Sequence, residues 1–109
     1  MQTIDDIRFN RICKYIDARK KGNLEECLSV IADDIDFNSQ RDGKYVGKTN
    51  FERYLKKTKF EGTWGRPEKT NDGFVVKGKV KILLIPISVR IDFRFNDRNE
   101  INYARIGKA

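Results

Sequence analysis

From Phe74 onward apolar and polar residues alternate, and this two-residue period constrains the chain more than any other feature. Phe74, Val76, Gly78, Val80, Ile82 and Leu84 share one face of an extended strand; Val75, Lys77, Lys79, Lys81, Leu83 and Ile85 share the other. Pro86 breaks the run and marks a hairpin end. Ile87, Val89, Ile91, Phe93 and Phe95 then resume the inward face, with Ser88, Arg90, Asp92 and Arg94 opposite. A turn at 96–99 leads to a last strand over 100–106. Ahead of Phe74, residues 63–69 read as an irregular strand interrupted by Pro67, followed by the turn signal Asn71-Asp72-Gly73. A sheet with one apolar face needs a covering layer.

The residues before it supply helices. Phe9, Ile12, Cys13 and Ile16 stand at i, i+3, i+4 and i+7, with Tyr15 to the side of that stripe; Gly22 closes the helix after Arg19-Lys20-Lys21. Asn23 with Glu26 resembles a capping box for a second helix with Leu24, Cys27, Leu28 and Ile31 on its apolar stripe. Both cysteines then read as core thiols. A short strand follows over 35–39, with Ile35, Phe37 and Ser39 on one face, and then a turn at 41–44. Thr49-Asn50-Phe51-Glu52 is a second capping box; its helix turns Phe51 and Leu55 inward and ends near Thr58. Helices before strands argue an α+β fold, one domain over residues 1–109.

Composition removes several chemistries. The chain has no histidine, so Ser-His-Asp and Cys-His nucleophile systems and His-containing zinc sites are excluded. Two cysteines make neither a four-Cys zinc cluster nor a disulfide framework. No metal and no cofactor are expected. The longest apolar run, 82–87, is far short of a membrane span, and the acidic, polar N-terminus is no signal peptide; the expectation is a cytoplasmic chain. The net charge of +7 divides unevenly: residues 1–34 hold six Lys/Arg against seven Asp/Glu, or −1, and residues 35–109 hold 17 against 9, or +8. Lys77, Lys79, Lys81, Arg90 and Arg94 against Asp92 form a basic grid on the outer sheet face. That grid lacks the interleaved aromatics that stack bases, so nucleic acid is not an expected partner.

Several segments carry a family likeness. Lys14-Tyr15-Ile16-Asp17, Gly22-Asn23-Leu24-Glu25 and Ile31 through Phe37, then Tyr45-Val46-Gly47-Lys48-Thr49 with Phe51–Leu55, and finally Asp92–Asn96 with Glu100-Ile101, resemble the nuclear transport factor 2-like superfamily. That group includes the SnoaL-like proteins and ketosteroid isomerase. The resemblance covers most of residues 9–106. It implies a cystatin-like α+β cone, with three N-terminal helices packed in a strongly curved, mostly antiparallel sheet. It further implies a deep, mostly apolar pocket for a small molecule, and homodimerisation. Isomerases, cyclases and dehydratases occur in the group, as do binding and scaffolding modules without catalysis, so fold alone does not decide function.

Ketosteroid isomerase uses a carboxylate base with a tyrosine and a neutral carboxylic acid as oxyanion donors. By resemblance Tyr15 matches the tyrosine, Ser39 stands at the base position and Ile91 at the second donor position; strand alternation turns neighbouring Asp92 to the opposite face. The full catalytic set is therefore missing. Tyr15 reads as a pocket hydrogen-bond donor or as a gap-filling helix tyrosine, and Ser39 as a ligand contact or a local backbone partner. Phe37, Phe51, Val89, Ile91 and Phe93 would form walls, and Trp64 the mouth. Arg105 shares a face with Ile101; turned inward it would anchor an anionic group, turned outward it is a solvated edge residue. Two functional expectations follow. Either the cone binds a small apolar molecule, with isomerase- or cyclase-type chemistry as an extension, or its interior is filled and the chain is a dimerising accessory module.

Overall fold

A computed structural model describes residues 1–109. The element order is α1 (Ile4–Lys21), α2 (Leu24–Leu28), β1 (Ile31–Ser39), β2 (Gly43–Val46), α3 (Lys48–Lys57), β3 (Thr63–Trp64), β4 (Glu68–Lys69), β5 (Phe74–Ile82), β6 (Ile85–Phe95) and β7 (Ile101–Lys108). The strands form one sheet in the order β2-β1-β7-β6-β5-β3, with β4 also on β5. Only β1 and β7 run parallel. The sheet curls without closing, as the cone expectation requires. Register shifts between Ile31 and Asp36 and between Arg94 and Phe95 add local bend and twist to it.

The helices follow their end signals with three corrections. Thr3 caps α1 through a reciprocal box with Asp6, and Gly22 closes it in the left-handed region at φ 71°. The buried stripe is Ile12, Tyr15, Ile16 and, beyond them, Ala18, not the one centred on Cys13; Tyr15 is buried and Cys13 only half-buried. The helix is rotated so that Tyr15 meets Phe51 and Phe93, with ring centroids 6.4 and 5.9 Å away. Second, α2 stops at Leu28, and Ile31 opens β1 beside Ile101 of β7. Sheet pairing overrides the helical period there, because both placements bury Ile31. Third, the Thr49 capping box does not form. Helix α3 starts two residues earlier, with Gly47 at φ 87° as its N-cap in place of Thr49 and without a side-chain cap; Asn50 instead donates to the Val46 carbonyl at 2.8 Å.

The long hairpin corrects the role of Pro86. The turn lies at Leu83-Leu84, both at positive φ (51° and 70°), with Ile82 opposite Ile85 and Pro86 inside β6 opposite Lys81. Two-residue hairpin turns of this hand favour Asn-Gly. Non-glycine residues held there cost roughly 1–3 kcal/mol each. Pro86 is tolerated because β7 pairs with β6 only from Val89 onward, leaving that flank of β6 without a ladder partner. The core is a single cluster that includes Ile12, Tyr15, Phe37, Phe51, Phe74, Ile91, Phe93 and Ile101.

Candidate functional site

One end of the cone is packed and the other is open. At the packed end Phe37, Phe51 and Tyr54 form a cluster with centroid separations of 4.9 Å (Phe37–Phe51) and 4.7 Å (Phe37–Tyr54). Tyr15 and Phe93 extend it. At the open end is a cavity of about 700 Å³, within the range of small-molecule sites. Its walls come from the far ends of the same elements: Ser39 at the end of β1, Val80 and Ile82 on β5, Ile87 and Val89 on β6, Ile106 on β7 and Tyr54 on α3. The segment after α3 adds Phe60 and Trp64, stacked at 5.0 Å with planes 12° apart. Trp64 lies so close over β5 that a Cβ on Gly78 would stand 2.5 Å from its ring, so only glycine fits there.

The charge in this cavity is one-sided. Arg19, Arg41, Lys57, Lys59, Lys81 and Lys108 line it, against the single carboxylate of Glu61. Arg19 stands out. It is half-buried, forms no ion pair, and its Nε is buried with no hydrogen-bond partner. One Nη donates to Thr58 Oγ1 at 3.3 Å, and the guanidinium lies 5.2 Å from the Phe60 ring centroid. A buried donor left unbonded costs about 1–3 kcal/mol.

Ser39 belongs to a polar knot on the rim. Its Oγ accepts from the Asp42 backbone N–H at 3.0 Å, and the Tyr54 hydroxyl donates to Asp42 Oδ2 at 3.2 Å. Arg41 donates two hydrogen bonds to the Asp42 carboxylate, both at 3.1 Å. Those bonds hold the Asp42 carboxyl below the usual carboxylate range, with Tyr54 and Ser39 adding to the effect. A carboxylate stabilised in this way is a poor proton acceptor. Burial pushes the Tyr54 hydroxyl up, and the Asp42 charge pushes it further. The knot holds a loop in place; it does not poise a base.

Of the residues singled out from sequence, Ser39, Trp64 and Val89 line the cavity. Phe37, Phe51, Ile91 and Phe93 are buried in the packed end, outside the lining. Tyr15 lies with them; burial raises its hydroxyl pKa, and the nearby Arg19 charge opposes the rise. Arg105 is exposed, opposite Asp92 in the β6–β7 register, so the inward placement is not the observed one. Arg19 was legible in principle: Ile12, Tyr15, Ile16 and Arg19 are the true i, i+3, i+4, i+7 set, and a cation at the end of a buried stripe is a signal. The basic grid is mostly neutralised, with Lys77 paired to Glu68 at 3.6 Å, Arg90 to Asp92 at 2.8 Å and Arg94 to Asp72 at 3.1 Å. Lys79 and Lys81 alone of the five have no such partner.

No family model matches the sequence, and no curated protein matches it either. Solved structures do. An NTF2-like protein of unknown function from Cytophaga hutchinsonii superposes at TM-score 0.78 with 14% identity, over 100% of this chain and 92% of that one. An NTF-2 like protein of unknown function from Burkholderia xenovorans gives 0.76 with 11% identity, over 95% and 84%. The chain has the NTF2-like fold. The same fold similarity reaches the orange carotenoid protein of Anabaena (Nostoc) binding canthaxanthin, at TM-score 0.73 and 17% identity. There it covers 92% of this chain but 35% of the carotenoid protein. Within the NTF2-like cone, the elements that converge on the open end are the ones bearing Arg19, Ser39 and Trp64. No group of three or more potential metal ligands is present. No helix is long and apolar enough to cross a membrane.

Proposed function

We propose that the open end of the cone binds a small amphipathic molecule. Its apolar body packs on Val80, Ile87, Val89, Phe60 and Trp64, and its acidic head group meets Arg19. The observation that carries this reading is Arg19, a half-buried guanidinium on the cavity wall that forms no ion pair. A guanidinium offers a fork of donors to a carboxylate, sulfate or phosphate. The carotenoid-binding relative of the same fold supports the apolar part of the assignment. Catalysis of the isomerase type is not part of the reading, since the one carboxylate near the Ser39 position is held ionised by Arg41.

Fluorescence titration with cis-parinaric acid and with its methyl ester tests this. Saturable binding of the acid, at least tenfold tighter than of the ester, is the expected result, and Arg19→Gln removes the difference. Equal affinity for acid and ester in the unmodified chain rejects the head-group assignment. No saturable binding of either returns the chain to the accessory-module reading, which the aromatic packing of the other end favours. We further propose that the outer sheet face forms a homodimer, because the ion pairs of Lys77, Arg90 and Arg94 lower the like-charge repulsion that would oppose it and leave only Lys79 and Lys81, nearer the hairpin tip, uncompensated. Sedimentation equilibrium checks the mass.

A further inference from the structure

The tip of the β5–β6 hairpin is apolar, exposed and conformationally costly at once. Leu83 and Leu84 are 91% and 89% exposed, and Ile82 and Ile85 beside them 52% and 60%. Both leucines occupy left-handed backbone that a hairpin turn of this kind fills with Asn-Gly at less cost. The tip also stands clear of the rest of the sheet. β3 leaves β5 at Lys79, and β7 pairs with β6 no nearer the tip than Val89. The hairpin therefore continues beyond its neighbours on both sides, in a molecule measuring 44 × 28 × 24 Å. Apolar side chains placed on a strained projecting turn serve neither the core nor the turn.

Two features identify what covers them. The unpaired cations Lys79 and Lys81 lie on the shaft just below the tip, and the cavity rim beside it is basic. Four side chains are also too few for a stable protein interface, which takes roughly 20–30 residues a side. A few exposed leucines and isoleucines above a band of lysines match the profile of an anionic lipid bilayer, whose apolar interior lies under negatively charged head groups. We infer that the β5–β6 hairpin docks this protein on anionic membrane surfaces, with Leu83 and Leu84 inserted below the head groups and Lys79 and Lys81 among them. Docking does not depend on the cavity being filled. Because Lys81 and Ile82 also line the cavity, docking brings its rim to the bilayer surface.

Sedimentation of the full chain with sucrose-loaded vesicles tests this, using 7:3 phosphatidylcholine:phosphatidylglycerol and pure phosphatidylcholine. Binding to the anionic vesicles is expected to be at least tenfold stronger and to weaken as salt is raised. The double variant Leu83→Asn, Leu84→Gly installs the residues the turn favours, so it keeps the fold by circular dichroism while losing at least tenfold in vesicle affinity. Lys79→Gln with Lys81→Gln loses affinity for the anionic vesicles only. Three results overturn the inference: no sedimentation of the unmodified chain, equal binding by the Asn-Gly variant, or a lipid-free dimer that the Asn-Gly variant abolishes. The last result makes a second copy of the chain the occupant.

Discussion

The packed and open ends of the cone are built from the same strands and the same two helices, yet they treat polar groups in opposite ways. Helix α1 shows this within a single element. Near the packed end, Arg8 donates to the Asn99 side chain at 2.8 Å, and Arg11 donates to the Asn99 carbonyl at 2.8 Å, fixing the turn before β7. Near the open end, Arg19 leaves its Nε unbonded. The strands repeat the contrast. β5 begins with Phe74, Val75 and Val76 buried and ends with Lys81 and Ile82 exposed; β6 runs the other way, from exposed Ile85 to buried Phe93. One end thus satisfies its groups internally and supplies stability. The other pairs Arg41 with Asp42 but keeps apolar surface open and Arg19 without an ion pair, which is the condition for binding something from outside.

The largest effect expected from this contrast is at the packed end. Phe51 is 1% exposed and touches Phe37, Tyr54 and Tyr15. Phe51→Ala should cost about 3–5 kcal/mol of unfolding free energy, the usual range for a buried aromatic. Urea unfolding measures it. A loss below about 1 kcal/mol would mean that the packed end is not the source of stability.

A pair of substitutions one helical turn apart sharpens the boundary between the ends. Tyr15 is buried against Phe93, and Arg19 lines the cavity. Arg19→Gln should lower affinity for an acidic ligand about 10–100-fold, the equivalent of one charge-assisted hydrogen bond, with little change in stability. Tyr15→Phe should lower affinity much less than Arg19→Gln does, because Tyr15 lies outside the lining and acts on a ligand only through its neighbour Arg19. Isothermal titration of both variants reads the difference directly. A loss in Tyr15→Phe as large as in Arg19→Gln would extend the site into the packed end and restore the role that family resemblance assigns to Tyr15.

Gly78→Ala probes the wall between cavity and sheet. The added methyl would meet the Thr63 carbonyl oxygen and the Trp64 ring, each at 2.5 Å, so β3 and the indole must move. The expected cost is about 1–3 kcal/mol, with a several-fold loss of ligand affinity as the Phe60–Trp64 wall shifts. Near-UV circular dichroism of the single tryptophan reports the displacement. Unchanged spectrum and affinity would show that Trp64 is not held in place by the close approach.

Much of this architecture is legible in the sequence. The alternation gives both hairpin strands and their faces over 74–82 and 87–95, though not the place of the turn between them, and Gly22 and Thr58 end the helices as expected. What escapes the reading are features set by tertiary context. Ile31 carries a helical period yet pairs with β7, since local periodicity cannot distinguish two ways of burying the same side chain. The Leu83-Leu84 turn has no turn signal, because its residues are wrong for the backbone they adopt. The cavity lining divides along the same line. Ser39, Trp64 and Val89 are reached through strand alternation and family resemblance, whereas Arg19 hides behind a stripe drawn one helical turn too early. Read as Ile12, Tyr15, Ile16 and Arg19, the same helix points a guanidinium at the cavity.

The smallest predicted effect lies on the boundary itself, at Asp42. Its carboxylate joins Tyr54, whose ring packs on Phe37, to Arg41 and Ser39 on the cavity rim. The Arg41 hydrogen bonds depress its folded-state pKa, so the unfolded chain takes up this proton first as the solution is acidified. The stabilisation is therefore complete above the unfolded value, near 3.9 by the usual reference, and disappears as pH falls through the lower folded value. Asp42→Asn lacks this titration. The gap in urea midpoint between Asp42→Asn and the unmodified chain should be widest at pH 5 and above and should narrow toward pH 2. Because the carboxylate is only partly shielded and its arginine is exposed, screening keeps the gap small and salt narrows it further. A gap that stays constant across this range would mean that Asp42 acts through loop geometry alone. The rim would then be fixed to the packed end by its hydrogen-bond shape and not by its charge.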